Sequence, residues 1–282
     1  MSLQVNIVKF GYQRAACLKL FWRAGRCKTR SDRIQISAPP VPLFDKGLGI
    51  FTFDNQANLE KHINAGAKKV ILAASPKGDD VKMVVLGVND SDLNESDLIV
   101  SNASCTTNCA APMVQLIDDN FGVDQAYITT IHSYTKDQSL HDSPHKDLRR
   151  ARAGALSIIP TTTGAAKAIT KIFPHLEIGG CGIRVPVANG SLTDITFTVQ
   201  NDCTIEEVNQ IFYKASLGKY QRIVDYTEDP IVSADIVGNP ASCLFDAQLT
   251  SVLGNMVKIV AWYDNEIGYS NRLADLIQRV AP

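Results

Sequence analysis

The sequence predicts a two-part fold: an α/β layer first, then an α+β part built on a mixed, largely antiparallel sheet. Three observations carry this expectation. Beyond Gly47, short β-branched runs alternate with helix signals. From Leu192 the text becomes strand-rich, with a clean in–out alternation. The length of 282 residues, 45% hydrophobic and 20% charged, suffices for two buried cores. The expected division is residues 1–104 with the C-terminal helix 266–282, and residues 105–265.

Taken in order, Asp54 or Asn55 can cap a helix that runs to about Ala65, with Gly66 just past its end. Residues 69–74 and 83–88 read as buried strands, and residues 98–100 as a third that ends in a tight polar turn. A helix over residues 105–120 follows, stopped by Gly122, and residues 127–131 form the next strand. Residues 133–153 show no apolar period, and a loop of that length inside a compact domain tends to be functional. Residues 192–199 alternate as a strand with one wet face does. Thr204 and Glu207 form a capping box for a helix to about Ser216. Strand-like runs at 231–237, 242–247 and 256–263 precede a closing helix from about Tyr269.

Composition narrows the function. No apolar run approaches the roughly 18–20 residues that span a bilayer, so no membrane segment is expected. Seven cysteines, an odd count scattered through a long chain, do not make a disulfide scaffold and suit a reducing, cytoplasmic setting. Charge is unevenly spread. Residues 1–46 hold nine Lys/Arg against two acids, and the remainder holds nineteen against twenty-seven. Clustered cations beside Phe21 and Trp22 suit an arm for nucleic acid or an acidic partner, and an Arg-rich, acid-poor segment also suits organelle targeting. Lys19 interrupts the only short apolar run, which argues against a secretory signal, and Pro39, Pro40 and Pro42 break regular structure. The reading taken is an altered segment that fills space, with no nucleic-acid partner and no metal.

The chemistry sits in Ser101-Asn102-Ala103-Ser104-Cys105-Thr106-Thr107-Asn108-Cys109, where a strand gives way to a helix. A thiol on the first turn meets unpaired N–H groups and the positive end of the helix dipole, which favour thiolate. The same N–H groups can stabilise an oxyanion. Hydroxyls of Ser104 and Thr106 flank the site, and Cys109, one turn deeper, reads as a small buried residue. A nucleophilic cysteine needs a base. His132, at the end of a strand, is the best placed of five histidines, although spacing alone does not establish the contact.

SNASCTTNCAAP, the TTIHSYTKDQ run, SPHKDLRRARAGALSIIPTTTGAAKA, RVPVANGSLTD and WYDNEIGYSNR, in this order, closely resemble phosphorylating glyceraldehyde-3-phosphate dehydrogenases of the bacterial type. The resemblance runs from about Gly49 to the C-terminus. It implies a Rossmann-like nucleotide-binding domain, truncated here, beside the α+β catalytic domain. It implies oxidation of an aldehyde phosphate through a cysteine thioester to an acyl phosphate, with NAD as hydride acceptor. Cys105 then matches the nucleophile and His132 the base. Thr135 and Arg184, with Asp137 nearby, match the pocket for the substrate's own phosphate. Ser104, Thr106, Thr163 and Gly164 match the side of the attacking inorganic phosphate. Asn265 matches the residue that fixes the nicotinamide amide, with Tyr269 close by. The loop 133–153 matches a loop at a homotetramer interface beside a neighbour's cofactor, where Arg149, Arg150 and Arg152 read as structural ion-pair donors. Erythrose-4-phosphate dehydrogenase is a close relative, and the RVPV strand and phosphate-site threonines lean towards glyceraldehyde 3-phosphate.

The pattern fails at the start. The family opens on a strand, a glycine-rich turn that cradles the cofactor pyrophosphate, and a helix. The equivalent text is Val8-Lys9-Phe10-Gly11-Tyr12-Gln13-Arg14-Ala15, with one glycine kept. Asp32 stands at a plausible separation for the ribose acid, but among basic and polar residues. Cys105 comes several tens of residues early, so strands of the nucleotide-binding half are expected to be missing or replaced. Near the cofactor site, Gly47-Leu48-Gly49, Ala73-Ala74-Ser75-Pro76 and Glu266-Ile267-Gly268 also depart from the family's text. A pseudoenzyme or binding protein that keeps the fold and anion sites without NAD-dependent turnover is the alternative.

Overall fold

The computed structural model of the chain describes residues 5–8, 56–64 and 66–280. Gly11, Asp32, residues 47–49, the expected helix caps Asp54 and Asn55, and most of the basic segment lie outside the described residues. The chain divides into two compact units, residues 1–104 with 270–282, and residues 105–269.

In the first unit, β1 (Val5–Val8), β2 (Lys69–Leu72), β3 (Lys82–Met83) and β4 (Ile99–Ser101) form an all-parallel sheet in the order β1-β2-β4-β3. Helix α1 (Gln56–Asn64) packs Leu59 against Val70, Leu72 and Val81. Gly66 ends it at φ +99°, where its N–H reaches Ile63 O at 2.9 Å and the Ala67 N–H reaches His62 O at 3.0 Å. The strand expected over 83–88 is cut short. After Met83 only the Val84 N–H continues the ladder, to Ser101 O at 2.8 Å. The chain then turns, because Asn89 Oδ1 accepts from the Val85 N–H at 2.8 Å and Gly87 adopts φ +83°. Val84, Val85 and Leu86 are buried all the same, so their apolar character reports burial and not pairing.

The second unit contains α2 (Cys105–Phe121), β5 (Val123–Ser133), β6 (Ile159–Thr161), α3 (Ala165–Ile172), β7 (Glu177–Val185) and β8 (Ser191–Val199). It continues with α4 (Ile205–Leu217), β9 (Val224–Thr227), β10 (Cys243–Asp246), β11 (Ser251–Leu253), β12 (Met256–Tyr263) and the start of α5 (Ile267–Val280). The sheet runs β6-β7-β5-β8-β12-β10-β9, with β11 on β12, and only the β5–β7 and β9–β10 pairs are parallel. Every second residue of β8 is buried, as its alternation requires. Thr204 and Glu207 make the capping box of α4 in both directions. Helix α2 buries twelve of its seventeen residues, Met113, Val114 and Ile117 completely.

Residues 231–237 are not a strand. Asp235 Oδ2 accepts from the Val232 N–H at 2.8 Å, and successive turns carry the chain to Gly238 at φ +94°. Only Ile236 is buried there, while Val232 and Val237 are exposed. Conversely, β7 is a nine-residue strand hidden by its glycines. At Gly180 a Cβ would lie 2.7 Å from Ile128 O and 3.1 Å from the Ala166 Cβ, so glycine lets α3 and β5 close on β7. The loop expected over 133–153 runs over 134–158: Ser133 still belongs to β5, and no helix or strand forms before Ile159. No helix among the described residues is long and apolar enough to cross a membrane.

Candidate active site

Three elements bring the reactive groups together. Cys105 is the first residue of α2, and Ala103, two residues earlier, adopts φ +52°, a left-handed turn that a non-glycine residue enters at a cost of about 1–2 kcal/mol. His132 stands near the end of β5. Parallel pairing of β5 with β7 puts Arg184 directly in register with it. The outcome is a Cys105 Sγ to His132 Nε2 separation of 3.4 Å, contact distance for a sulfur hydrogen bond. His132 is 6% exposed, and its ring stands edge-on to Tyr263 at 6.0 Å.

Charge at the pair is set by burial and by Arg184. Desolvation pushes the Cys105 thiol up, while Arg184 and the hydroxyl and N–H of Thr106 pull it down without cancelling the rise. The helix start therefore contributes as expected, but burial outweighs it, and the resting group is a thiol. Burial and then the Arg184 cation hold His132 down to about 3, so the imidazole is neutral near pH 7. His132 Nδ1 has two competing partners, Ser133 O at 2.8 Å and the Arg184 guanidinium, which also donates to Ser133 O at 3.0 Å. A proton on Nδ1, donated to Ser133 O, leaves Nε2 as the acceptor facing the thiol.

An ion pair lies within electrostatic reach of Arg184. Arg150 pairs with Asp137 and donates to Thr161 Oγ1 at 2.7 Å and Thr162 O at 3.1 Å, and both of these charges are felt at Arg184. Thr135 is held by Gln138, whose Oε1 accepts the Thr135 N–H at 2.8 Å and hydroxyl at 3.4 Å. Gln138 is 7% exposed, and its Nε2 finds no partner among the described residues. Thr163 and Gly164 open α3, where Thr163 Oγ1 accepts from the Ala165 N–H at 3.2 Å. Arg152 pairs with Asp142 at 2.7 Å, with both side chains exposed. Sequence reasoning missed Gln138 and the link from Arg150 to Arg184. A polar residue three positions after a threonine in a loop was the signal available for the first.

Asn265 is fixed by its oxygen. Ser133 Oγ at 3.0 Å, Ser191 Oγ at 2.8 Å and the Gly190 N–H at 3.3 Å all donate to Oδ1. The Gly190 N–H can only donate, so the amide NH2 points the other way. Gly190 has φ +93°, and a Cβ there would lie 2.3 Å from Ser233 O. Gly190→Ala is expected to cost about 2–3 kcal/mol and to loosen Asn265, as a lowered urea midpoint with unchanged slope will show. Tyr269 is buried in the first turn of α5, and Ser104 is half-buried just before α2. Cys109 is fully buried with its sulfur 4.0 Å from Met113 Sδ. Among the described residues no cluster of His, Cys, Asp and Glu could hold a metal ion.

The family model for the glyceraldehyde 3-phosphate dehydrogenase C-terminal domain matches residues 104–265. The chain is 47% identical over 263 residues to a glyceraldehyde-3-phosphate dehydrogenase of Mycobacterium avium, covering 91% of this chain and 77% of that one. It is 53% identical over 239 residues to glyceraldehyde-3-phosphate dehydrogenase 1 of Streptomyces avermitilis, covering 84% and 71%. The first match is longer than the stretch from Gly49 onward, so the likeness extends into the basic N-terminal segment. With a cysteine–histidine pair beside a half-buried arginine and a family match over most of its length, the chain belongs to the glyceraldehyde-3-phosphate dehydrogenase family.

Proposed function

We propose that the protein oxidises glyceraldehyde 3-phosphate, with inorganic phosphate and NAD, to an acyl phosphate. The observation that carries this reading is the 3.4 Å contact of Cys105 Sγ with His132 Nε2 beside Arg184. Attack of the sulfur on the aldehyde carbon passes the thiol proton to His132 Nε2 and gives a thiohemiacetal. N–H groups at the start of α2 stabilise the oxyanion. An anion at Arg184 offsets the cation that holds His132 down, so substrate phosphate makes the imidazole a better base. Arg184 and Thr135 hold that phosphate. Ser104, Thr106, Thr163 and Gly164 hold the inorganic phosphate that splits the Cys105 thioester, and Cys105 leaves as thiolate to be reprotonated by His132.

NAD, when bound, supplies the hydride acceptor. Asn265 fits its nicotinamide end, because three donors hold the side-chain oxygen and turn its NH2 to serve a carboxamide oxygen. Tyr269 stands near it in sequence. The first unit, with its parallel sheet, is the NAD-binding half and the second the catalytic half. A homotetramer in the cytoplasm is the assembly proposed, supported by Leu140, Leu148, Leu156 and Ile158, exposed in or beside the long loop. The loss of two glycines after Gly11 favours a second reading, a protein that keeps the anion sites without turnover. Titration with NAD and a phosphate-dependent reduction assay separates them. Micromolar binding with turnover that needs phosphate supports the enzyme; no NAD binding with rapid alkylation of Cys105 supports the second reading.

A further inference from the structure

The long loop after β5 has a single buried polar side chain. Between Tyr134 and Ile158 only Gln138, Ala153 and Gly154 are buried, while Lys136 and Asp137, just before Gln138, are exposed. The amide of Gln138 serves one residue: Oε1 accepts the Thr135 N–H at 2.8 Å and the Thr135 hydroxyl at 3.4 Å. The Gln138 N–H donates in turn to Thr135 O at 2.8 Å. Three hydrogen bonds therefore close the turn 135–138, through backbone and side chain together. A Cβ on Gly154 would lie 2.6 Å from the Gln138 Cβ and 3.3 Å from its Cγ, so glycine lets the returning chain close on the glutamine.

The orientation of this amide is fixed. A backbone N–H can only donate, so the oxygen faces Thr135 and the NH2 points away. That NH2 is buried with no partner among the described residues. A buried donor left unpaired costs stability, and an apolar side chain of the same shape would not carry that cost. Packing therefore does not account for a glutamine here. Its other end does, because it holds both donors of Thr135.

Thr135 stands where those donors matter. His132 is in register with Arg184 and Ser133 with Val185, and the Tyr134 N–H carries the pairing on to Val187 O at 3.1 Å. The Arg184 guanidinium donates to Ser133 O at 3.0 Å, so Thr135 lies two residues beyond the carbonyl that holds Arg184. We infer that Gln138 is a positioning residue for the substrate's phosphate, keeping Thr135 in place and lending its amide oxygen to the Thr135 hydroxyl until a phosphate oxygen takes that proton. The inference rests on the reading of Thr135 and Arg184 as the holders of that phosphate. The 2.8 Å bond to the N–H is kept throughout, and the 3.4 Å bond to the hydroxyl is the one given up. A charged phosphate oxygen is the stronger acceptor, so it wins the proton from a neutral amide.

The test is binding of glycerol 3-phosphate, an unreactive phosphate monoester, to the full-length protein without NAD, followed by phosphorus NMR line width. Steady-state kinetics with glyceraldehyde 3-phosphate run beside it. Gln138→Met, of similar shape but without the amide, is expected to weaken binding about tenfold and to raise KM by as much, with kcat changed less than about twofold. A residue that served packing alone would lower the melting temperature and leave the affinity of the folded protein where it was. In a Thr135→Val background Gln138→Met is expected to cost less than it does alone, because part of what it positions is gone. Unchanged affinity in Gln138→Met, or full multiplication of the two effects in the double variant, overturns the inference. Should Gln138→Met fail to fold, Gln138→Asn decides, since it keeps the amide but shortens its reach: weakened binding supports the inference and unchanged affinity sinks it. If glycerol 3-phosphate does not bind the unaltered protein, or Thr135→Val leaves its affinity unchanged, the phosphate reading of Thr135 has itself failed and the inference falls with it.

Discussion

Cys105→Ala is expected to lower phosphate-dependent NAD reduction by at least about 10⁴-fold while leaving NAD affinity unchanged. The size follows from the chemistry, because without the sulfur no thiohemiacetal or thioester forms and no other described thiol can stand in. Cys109 and Cys243 are fully buried, and Cys181 lies beside Thr129 on the sheet. Among the described residues only Cys105 has its sulfur against His132. Cys105→Ser should be nearly as inactive, since a hydroxyl ionises far less readily than a thiol even with the base in place. Single-turnover assays with equal enzyme and NAD check both. Turnover above about 1% of the unaltered rate in Cys105→Ala would remove Cys105 from the mechanism.

The site was legible from sequence where local chemistry marks it. A strand end, a polar turn and a cysteine on the first turn of a helix can be read from residues 98–109, and α2 begins at Cys105 as expected. The capping box of α4, the alternation of β8 and the length of the loop are likewise local properties. Register between distant strands is not. That His132 would stand beside Arg184 depends on parallel pairing of strands about fifty residues apart, which no spacing rule supplies. Composition misled in both directions: most of 83–88 and all of 231–237 look like strands but fold as turns around Asn89 and Asp235, and the glycines of β7 hide a nine-residue strand. The electrostatics was the least legible part. A helix start suggested a lowered thiol, yet desolvation at the site, visible only in three dimensions, raises it.

That burial makes His132 the second large lever. His132→Asn keeps a polar group of similar shape but removes the proposed base, and kcat/KM is expected to fall by about 10²–10⁴-fold. Stability should move in the opposite sense at low pH. The imidazole is held down to about 3 in the fold and titrates near 6.5 when unfolded. Below pH 6.5 the unfolded chain takes up a proton that the folded one refuses, so this histidine costs stability as pH falls, reaching about 2 kcal/mol by pH 5 and growing until pH 3. The asparagine variant has no such proton. Urea midpoints measured from pH 7.5 to 4.5 should therefore decline more steeply for the unaltered protein than for His132→Asn. Parallel curves would mean that the folded imidazole titrates normally, and that Arg184 does not keep it neutral for its role as base.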